Sequence, residues 1–146
     1  MFAWGDNSYG QTGGGGSAIS NIDVVYSPRL VNFEAHFRPR IEAHLSPKCI
    51  YHYRPSIVKI DCGGSHSAFV DDIGRLFLCG NNKAGQLGIG SYVNQAAPCH
   101  IEDIQEGVTQ VSCGTNQTVA VTTKGKVWVM GSNQNGQLGI GEKYDN

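Results

Sequence analysis

Four groups of residues in the chain have types that could do chemistry: the glycine runs at 13–16 and 85–90, the scattered cysteines and histidines, the adjacent carboxylates Asp71 and Asp72, and a basic, aromatic stretch at 33–55. A phosphate loop needs Gly-Lys-Ser/Thr opening a helix, and a dinucleotide site needs G-x-G-x-x-G between strand and helix. Neither spacing occurs, so the glycines are read as turn formers that supply positive φ and close strand approach. The five cysteines contain no C-x-x-C pair, the usual start of a zinc site. His36, His44, His52 and Cys49 carry ligating atoms at a spacing that fits no familiar site, so no metal, no cofactor and no catalytic residue is predicted. Asp71 and Asp72 cannot converge as an acid/base pair, because neighbours in a strand point to opposite faces; they read as a hairpin turn.

The elements that hold these residues follow from an internal repeat. Residues 80–90 return as residues 131–141, identical at eight of eleven positions and displaced by 51. Cys62-Gly63 recurs as Cys113-Gly114, Val70 as Val121 and Gly74 as Gly125, all at the same displacement. A third copy runs from Trp4-Gly5-Asp6-Asn7 to Gly13, and its distance to the next exceeds the period by 24 residues. The prolines that follow each copy, Pro28 and Pro98, assign most of that excess to an insertion at 33–55. The predicted units are therefore 1–79 with its insertion, 80–130, and an incomplete 131–146.

Within a unit the pattern is that of short strands. Residues 56–61 and 107–112 alternate apolar and polar, as half-buried strands do, whereas 66–70 and 117–121 are apolar enough to be buried on both faces. Hairpin steps at 72–74 and 123–125, each ending in Gly, lead to the apolar segments 75–79 and 126–130. Cys79 occupies the place of Trp4 and Met130, which marks an apolar slot, and Cys62 and Cys113 share one position, which predicts a packing role. His66 is replaced by Gln117 one unit later and is read as bonding backbone between strands. Four short strands per unit of about 50 residues predict an all-β partial β-propeller of four-stranded antiparallel blades.

The series W-G-x-N-x-x-G-Q-L-G-x-G, then P, then V-x-x-I-x-x-G-x-x-H-S and a Gly-tipped hairpin resembles the repeat of the regulator of chromosome condensation family. The residues that carry the resemblance are Trp4, Gly5, Gly10 and Gln11, then Gly63, His66, Gly80, Gly85, Gln86 and Gly88, and finally Gly114, Trp128, Gly131, Gly136, Gln137 and Gly139. This sequence departs from the pattern at Thr12, Cys79 and Gln117. The resemblance implies a seven-bladed ring of which this chain covers about two to three blades, the rest coming from a longer chain or from other chains. It also implies guanine-nucleotide exchange on a Ran-like small GTPase as one possible role, which needs no acid/base chemistry.

Composition narrows the partners. Eleven Lys plus Arg against 12 Asp plus Glu give a net charge of −1, which offers no case for nucleic acid or an anionic membrane. No apolar stretch approaches the ~20 residues of a spanning helix. An odd cysteine count and an N-terminus without a basic and apolar leader predict an intracellular protein, cytoplasmic or nuclear. A protein partner is therefore expected, met by the insertion, whose Phe37, Arg38, Arg40, Tyr51, Tyr53 and Arg54 have the arginine and aromatic character of interface anchors. The reading is a non-catalytic protein-interaction module with nucleotide exchange as the alternative.

Overall fold

The computed structural model describes residues 2–13, 24–31 and 56–141. These residues form nine strands and no helix: β1 (Phe2–Asp6), β2 (Val24–Leu30), β3 (Ile57–Cys62), β4 (His66–Asp71), β5 (Leu76–Gly80), β6 (Gln95–His100), β7 (Val108–Cys113), β8 (Gln117–Thr122) and β9 (Val127–Gly131). They make three antiparallel sheets ordered β1-β2, β3-β4-β5-β6 and β7-β8-β9, each a meander in chain order. The predicted insertion and its six candidate contact residues lie outside the described residues.

Repetition extends to the irregularities. The ladder slips between Ile57 and Lys59 in β3, and again between Val108 and Gln110 in β7. A second slip falls between Ala3 and Gly5 in β1 and between Leu78 and Gly80 in β5. Gly80 at this slip and its counterpart Gly131 at the end of β9 both adopt φ +110, a backbone that side chains resist. A Cβ on Gly80 would lie 2.6 Å from the Ser65 carbonyl oxygen, and one on Gly131 would strike the Asn116 carbonyl. The hairpin at 71–75 closes as predicted, with the Gly74 N–H donating to the Asp71 carbonyl at 3.0 Å and Gly74 at φ +85. β6 carries Pro98 on the outer edge of its sheet, the position where a missing N–H costs no ladder bond.

Two apolar layers follow from the alternation of β4 and β5. Ala68, Val70, Leu76 and Leu78 point one way and pack with Val108, Ala120 and Met130 of the third sheet. Phe69, Phe77 and Cys79 point the other way with Ile57, towards the loop that follows β1, where a Cβ on Gly13 would sit 3.2 Å from the Cys79 sulfur. β4 is therefore buried along its whole length. The expectation that 117–121 is likewise buried on both faces is corrected. In β8 only Thr118, Ala120 and Thr122 are buried, because those residues face the second sheet and no described element covers the opposite side.

Among the described residues the middle sheet is thus the best packed. Leu78→Ala should cost about 2–5 kcal/mol, the range for emptying a leucine site that cannot collapse. Ile73→Ala, on an exposed turn, should stay within about 0.5 kcal/mol. Urea unfolding followed by tryptophan fluorescence measures both.

Candidate functional site

The repeated loops are built by two side chains that work in every unit. In the first unit the Asn7 carboxamide oxygen accepts from the Thr12 N–H at 3.2 Å; its counterpart Asn82 accepts from the Leu87 N–H at 2.9 Å, and Asn133 from the Leu138 N–H at 3.0 Å. The Gln side-chain oxygen bends back to the N–H two residues before it: Gln11 to Tyr9 at 3.0 Å, Gln86 to Ala84 at 3.0 Å and Gln137 to Asn135 at 2.9 Å. Backbone bonds from Gly10, Gly85 and Gly136 close one turn, and those from Gly13, Gly88 and Gly139 close the next. The donors that a phosphate loop would present to an anion are therefore already spent inside the loop, in agreement with the turn reading. Asn82 is also tied across its loop, its amide nitrogen donating to the Ser91 carbonyl at 2.6 Å.

These loops serve as sockets for the next sheet. The Ser67 hydroxyl donates to the Gln11 carbonyl at 2.8 Å, and the Thr118 hydroxyl, 51 residues later, donates to the Gln86 carbonyl at 2.8 Å. His66 Nε2 meets the same Thr118 oxygen at 2.8 Å. This corrects the expectation that His66 bonds backbone: its partner is a side chain on the adjoining sheet. The ring fits because residue 63 is Gly, where a Cβ would collide with the imidazole. Gln117 stands over Gly114 in the same way, so Gly and His or Gln are one device. Nearer the inner strands, the Asp61 carboxylate accepts from the Cys113 N–H at 2.6 Å and the Gly114 carbonyl accepts from the Gly64 N–H at 3.1 Å.

Burial sets the protonation of these groups. It holds the His66 imidazole below its ordinary 6.5, with Asp61 pulling the other way, and it raises the Cys79 thiol. Burial, aided by the Asp61 charge, pushes Cys113 up to about 12. Such thiols stay protonated and are poor nucleophiles. Cys79 and Met130 are both buried, as the shared apolar slot requires. Of the other pair Cys113 packs against the core, whereas Cys62 is exposed. The packing role predicted for both thus holds only for Cys113, whose neighbouring sheet is in place. Among the described residues no three His, Cys, Asp or Glu side chains are grouped to hold a metal ion.

Asp71 is the polar residue whose weight sequence reasoning missed. It is buried, accepts from the N–H of Ile73 at 3.2 Å and of Arg75 at 2.7 Å, and pairs with the Arg75 guanidinium at 2.6 Å. Its counterpart Thr122 accepts from the Lys126 N–H at 3.3 Å, a weaker version of the same turn closure. The signal lay in the pairing of Asp71 with a cation four residues on. Asp72 is exposed, so the pair diverges as the strand geometry predicts. On the surface, Tyr92 and Val93 stand out from the loop between β5 and β6, and Lys83 lies over the Tyr9 ring at 5.6 Å.

Antiparallel meanders, the middle one complete with four strands, stacked face to face and latched through equivalent loops define a β-propeller, of which these are successive blades. Models of the regulator of chromosome condensation (RCC1) repeat match residues 74–121 and, separately, 57–86 and 108–137. The chain belongs to that repeat family. Among curated proteins it is 39% identical over 142 residues to a secretion-regulating guanine nucleotide exchange factor of Bos taurus, covering 96% of this chain and 26% of that protein. It is 39% identical over 108 residues to the ultraviolet-B receptor of Arabidopsis thaliana, covering 72% of this chain and 24% of the receptor. The chain thus spans about a quarter of the length of these relatives. Among solved structures, yeast RCC1 (Prp20) bound to Kap60 superposes with a TM-score of 0.77 at 20% identity, over 99% of this chain and 31% of that one. Human WBSCR16 does so at 0.72 and 23% identity, over 99% of this chain and 32% of that one. At that identity the two structures show the fold.

Asn82→Ala removes an acceptor and two donors from a buried loop and should cost about 2–3 kcal/mol, read from the shift in urea midpoint. His66 makes stability depend on pH. Its folded value lies below the unfolded one, so the stabilisation is complete above the ordinary 6.5 and is lost as pH falls towards the folded value. His66→Gln, the side chain the third sheet uses at Gln117, should flatten the fall in urea midpoint between pH 7 and pH 5.

Proposed function

We propose that the chain is a non-catalytic protein-interaction module, a set of propeller blades in a scaffold or regulatory protein. The observation that carries this reading is that the signature residues are consumed in structure. The Asn, Gln, His and Ser/Thr of the repeat bond their own loop or the next sheet, and of the exposed apolar and aromatic groups Tyr92 and Val93 lie on a connecting loop. Loops displayed by a rigid scaffold are where propellers and similar folds bind. The arginine and aromatic residues Phe37, Arg38, Arg40, Tyr51, Tyr53 and Arg54 of the insertion form the second proposed contact. The insertion joins Val31 to Ser56, the stretch that takes only residues 102–106 in the next unit. Further blades, in the same polypeptide or in others, complete the ring, and the compartment is intracellular.

Guanine-nucleotide exchange on a Ran-like small GTPase is the second reading, favoured by the exchange factor named above. A second solved relative, Prp20p of Saccharomyces cerevisiae (TM-score 0.75, 20% identity, 99% of this chain and 32% of that one), was described for its binding to Gsp1p and histones. Exchange needs only tighter binding of the nucleotide-free GTPase than of the loaded one, which a surface without catalytic side chains can supply.

Two measurements separate the readings. Release of labelled GDP from a panel of small GTPases should proceed at the uncatalysed rate if the chain is a scaffold; acceleration of any member would establish exchange instead. Deleting residues 33–55 from the intact protein should lower recovery of its partners in a pull-down at least about tenfold, the loss of roughly 1.4 kcal/mol of binding. Unchanged recovery would remove the insertion from the contact.

A further inference from the structure

One loop presents its side chains outward on a backbone that is held from within. Residues 91–94 connect β5 to β6 and all four are exposed, Tyr92 at 59% and Val93 at 64%. Beneath them lies Asn82, fully buried. Its side-chain amide donates to the Ser91 carbonyl at 2.6 Å and to the Val93 carbonyl at 3.3 Å, and its backbone N–H donates to the Asn94 carboxamide oxygen at 2.9 Å. The Ser91 hydroxyl oxygen accepts from the Val93 N–H at 3.4 Å. The backbone on either side of Tyr92 is therefore fixed from inside, while the Tyr92 and Val93 side chains stand outward. A loop ordered in advance loses less entropy on binding than one that must order on contact.

A cation sits beside this loop. Lys83, next in the chain to Asn82, is exposed and holds its ammonium over the Tyr9 ring at 5.6 Å. Tyr9 belongs to the equivalent loop of the preceding unit, which touches the start of β6, where a Cβ on Gly10 would strike the backbone of Ala96. Tyr9, Lys83, Tyr92 and Val93 thus surround one stretch of surface, joined through Asn82 and Gly10. Among the described residues Lys83 makes no ion pair, whereas the carboxylate of the neighbouring loop, Asp6, already accepts from the Ser8 N–H at 3.0 Å and from its hydroxyl at 2.6 Å. The repeat does not ask for these side chains: Ser8 and Gln134 stand in the place of Lys83, and Ala84 and Asn135 in that of Tyr9.

We propose that Tyr9, Lys83, Tyr92 and Val93 form a docking surface for an acidic segment of another protein, one that carries an aliphatic or aromatic side chain beside its carboxylate. The carboxylate pairs with Lys83, and the apolar side chain lies against Tyr92 and Val93. Tyrosine is among the side chains that interfaces favour as anchors, and an ion pair flanked by apolar groups is stronger than one in open solvent. A nucleic acid is poorly matched, because binding a phosphate backbone needs clustered Lys and Arg. The inference rests on the reading of the chain as a protein-interaction module and adds the surface and the chemistry of what it takes.

The test uses the intact protein, with a random peptide library displayed on phage as the probe. Selected peptides should be enriched in Asp or Glu next to an aliphatic or aromatic residue. Made synthetically, they should bind Tyr92→Ala and Lys83→Glu at least about tenfold more weakly than the unmutated protein. Both side chains are exposed, so neither substitution should move the urea midpoint further than Ile73→Ala does. A fresh selection on Lys83→Glu should replace the acidic preference with Lys and Arg. A library that yields no binder, selected peptides without acidic enrichment, or binding that neither substitution weakens would overturn the proposal. Each of these leaves the interaction reading standing, because that reading is decided by GDP release and by recovery of natural partners.

Discussion

The structure depends on a hydrogen bond from a strand hydroxyl to the backbone carbonyl of a glutamine in the preceding sheet's loop. Ser67 to Gln11 and Thr118 to Gln86 are the two examples, each at 2.8 Å. A backbone carbonyl can be a precise acceptor only if its loop is fixed, and fixing the loop is the work of Asn and Gln. Asn closes the loop from one side and the Gln amide from the other, so the carbonyl between them points outward to the next sheet. The glycines permit this path, because two turns with positive φ follow one another within four residues. Loop chemistry and sheet stacking are therefore one constraint, and a unit that lost its Asn would misplace the socket as well as its own turn.

The same constraint explains which polar groups are buried. Asn82, Gln86, Asn133, Thr118 and His66 are all buried, and each is held by at least one hydrogen bond, while Gln86 Nε2 and His66 Nδ1 find no partner among the described residues. His66 shares the Thr118 oxygen while that hydroxyl donates onward to Gln86. The imidazole must therefore donate to Thr118 through Nε2, which fixes the neutral tautomer. A second proton would fall on the other nitrogen, above Gly63, where burial disfavours charge. Gln117 replaces it one unit later without altering the backbone, because a carboxamide can also span the space over a glycine.

How much of this was legible in the sequence depended on the range of the interaction. Period, strands and hairpins follow from local pattern, since the same turn chemistry recurs at one displacement. The packing of Cys79 and Met130 was legible because equivalent residues of different chemistry share only apolarity. His66 was misread because its partner lies 52 residues away on another sheet, and no local pattern names that partner. β8 was misread because apolar composition reports what a strand is suited to cover, whereas burial depends on whether a neighbour is present. The weight of Asp71 was missed because its repeat counterpart is Thr122, and comparison by residue type hides that both close the turn through an acceptor four residues before the donor.

For function, the consequence is a division between residues that repeat and residues that do not. Repeating residues are bound by the latch, so their identity reports the needs of the fold and is a poor guide to a ligand. Residues free of that demand are those on connecting loops, such as Tyr92 and Val93, and those of the insertion. The hydroxyl, the glutamine carbonyl and the glycine seat (Gly13 against Cys79, Gly88 against Met130) recur at both joints between the described sheets, so the joint is kept while the connecting loops are free to diverge. This is how one repeat can serve proteins as different in name as a nucleotide exchange factor and a light receptor. The segments that break the period are the ones the latch leaves free to vary.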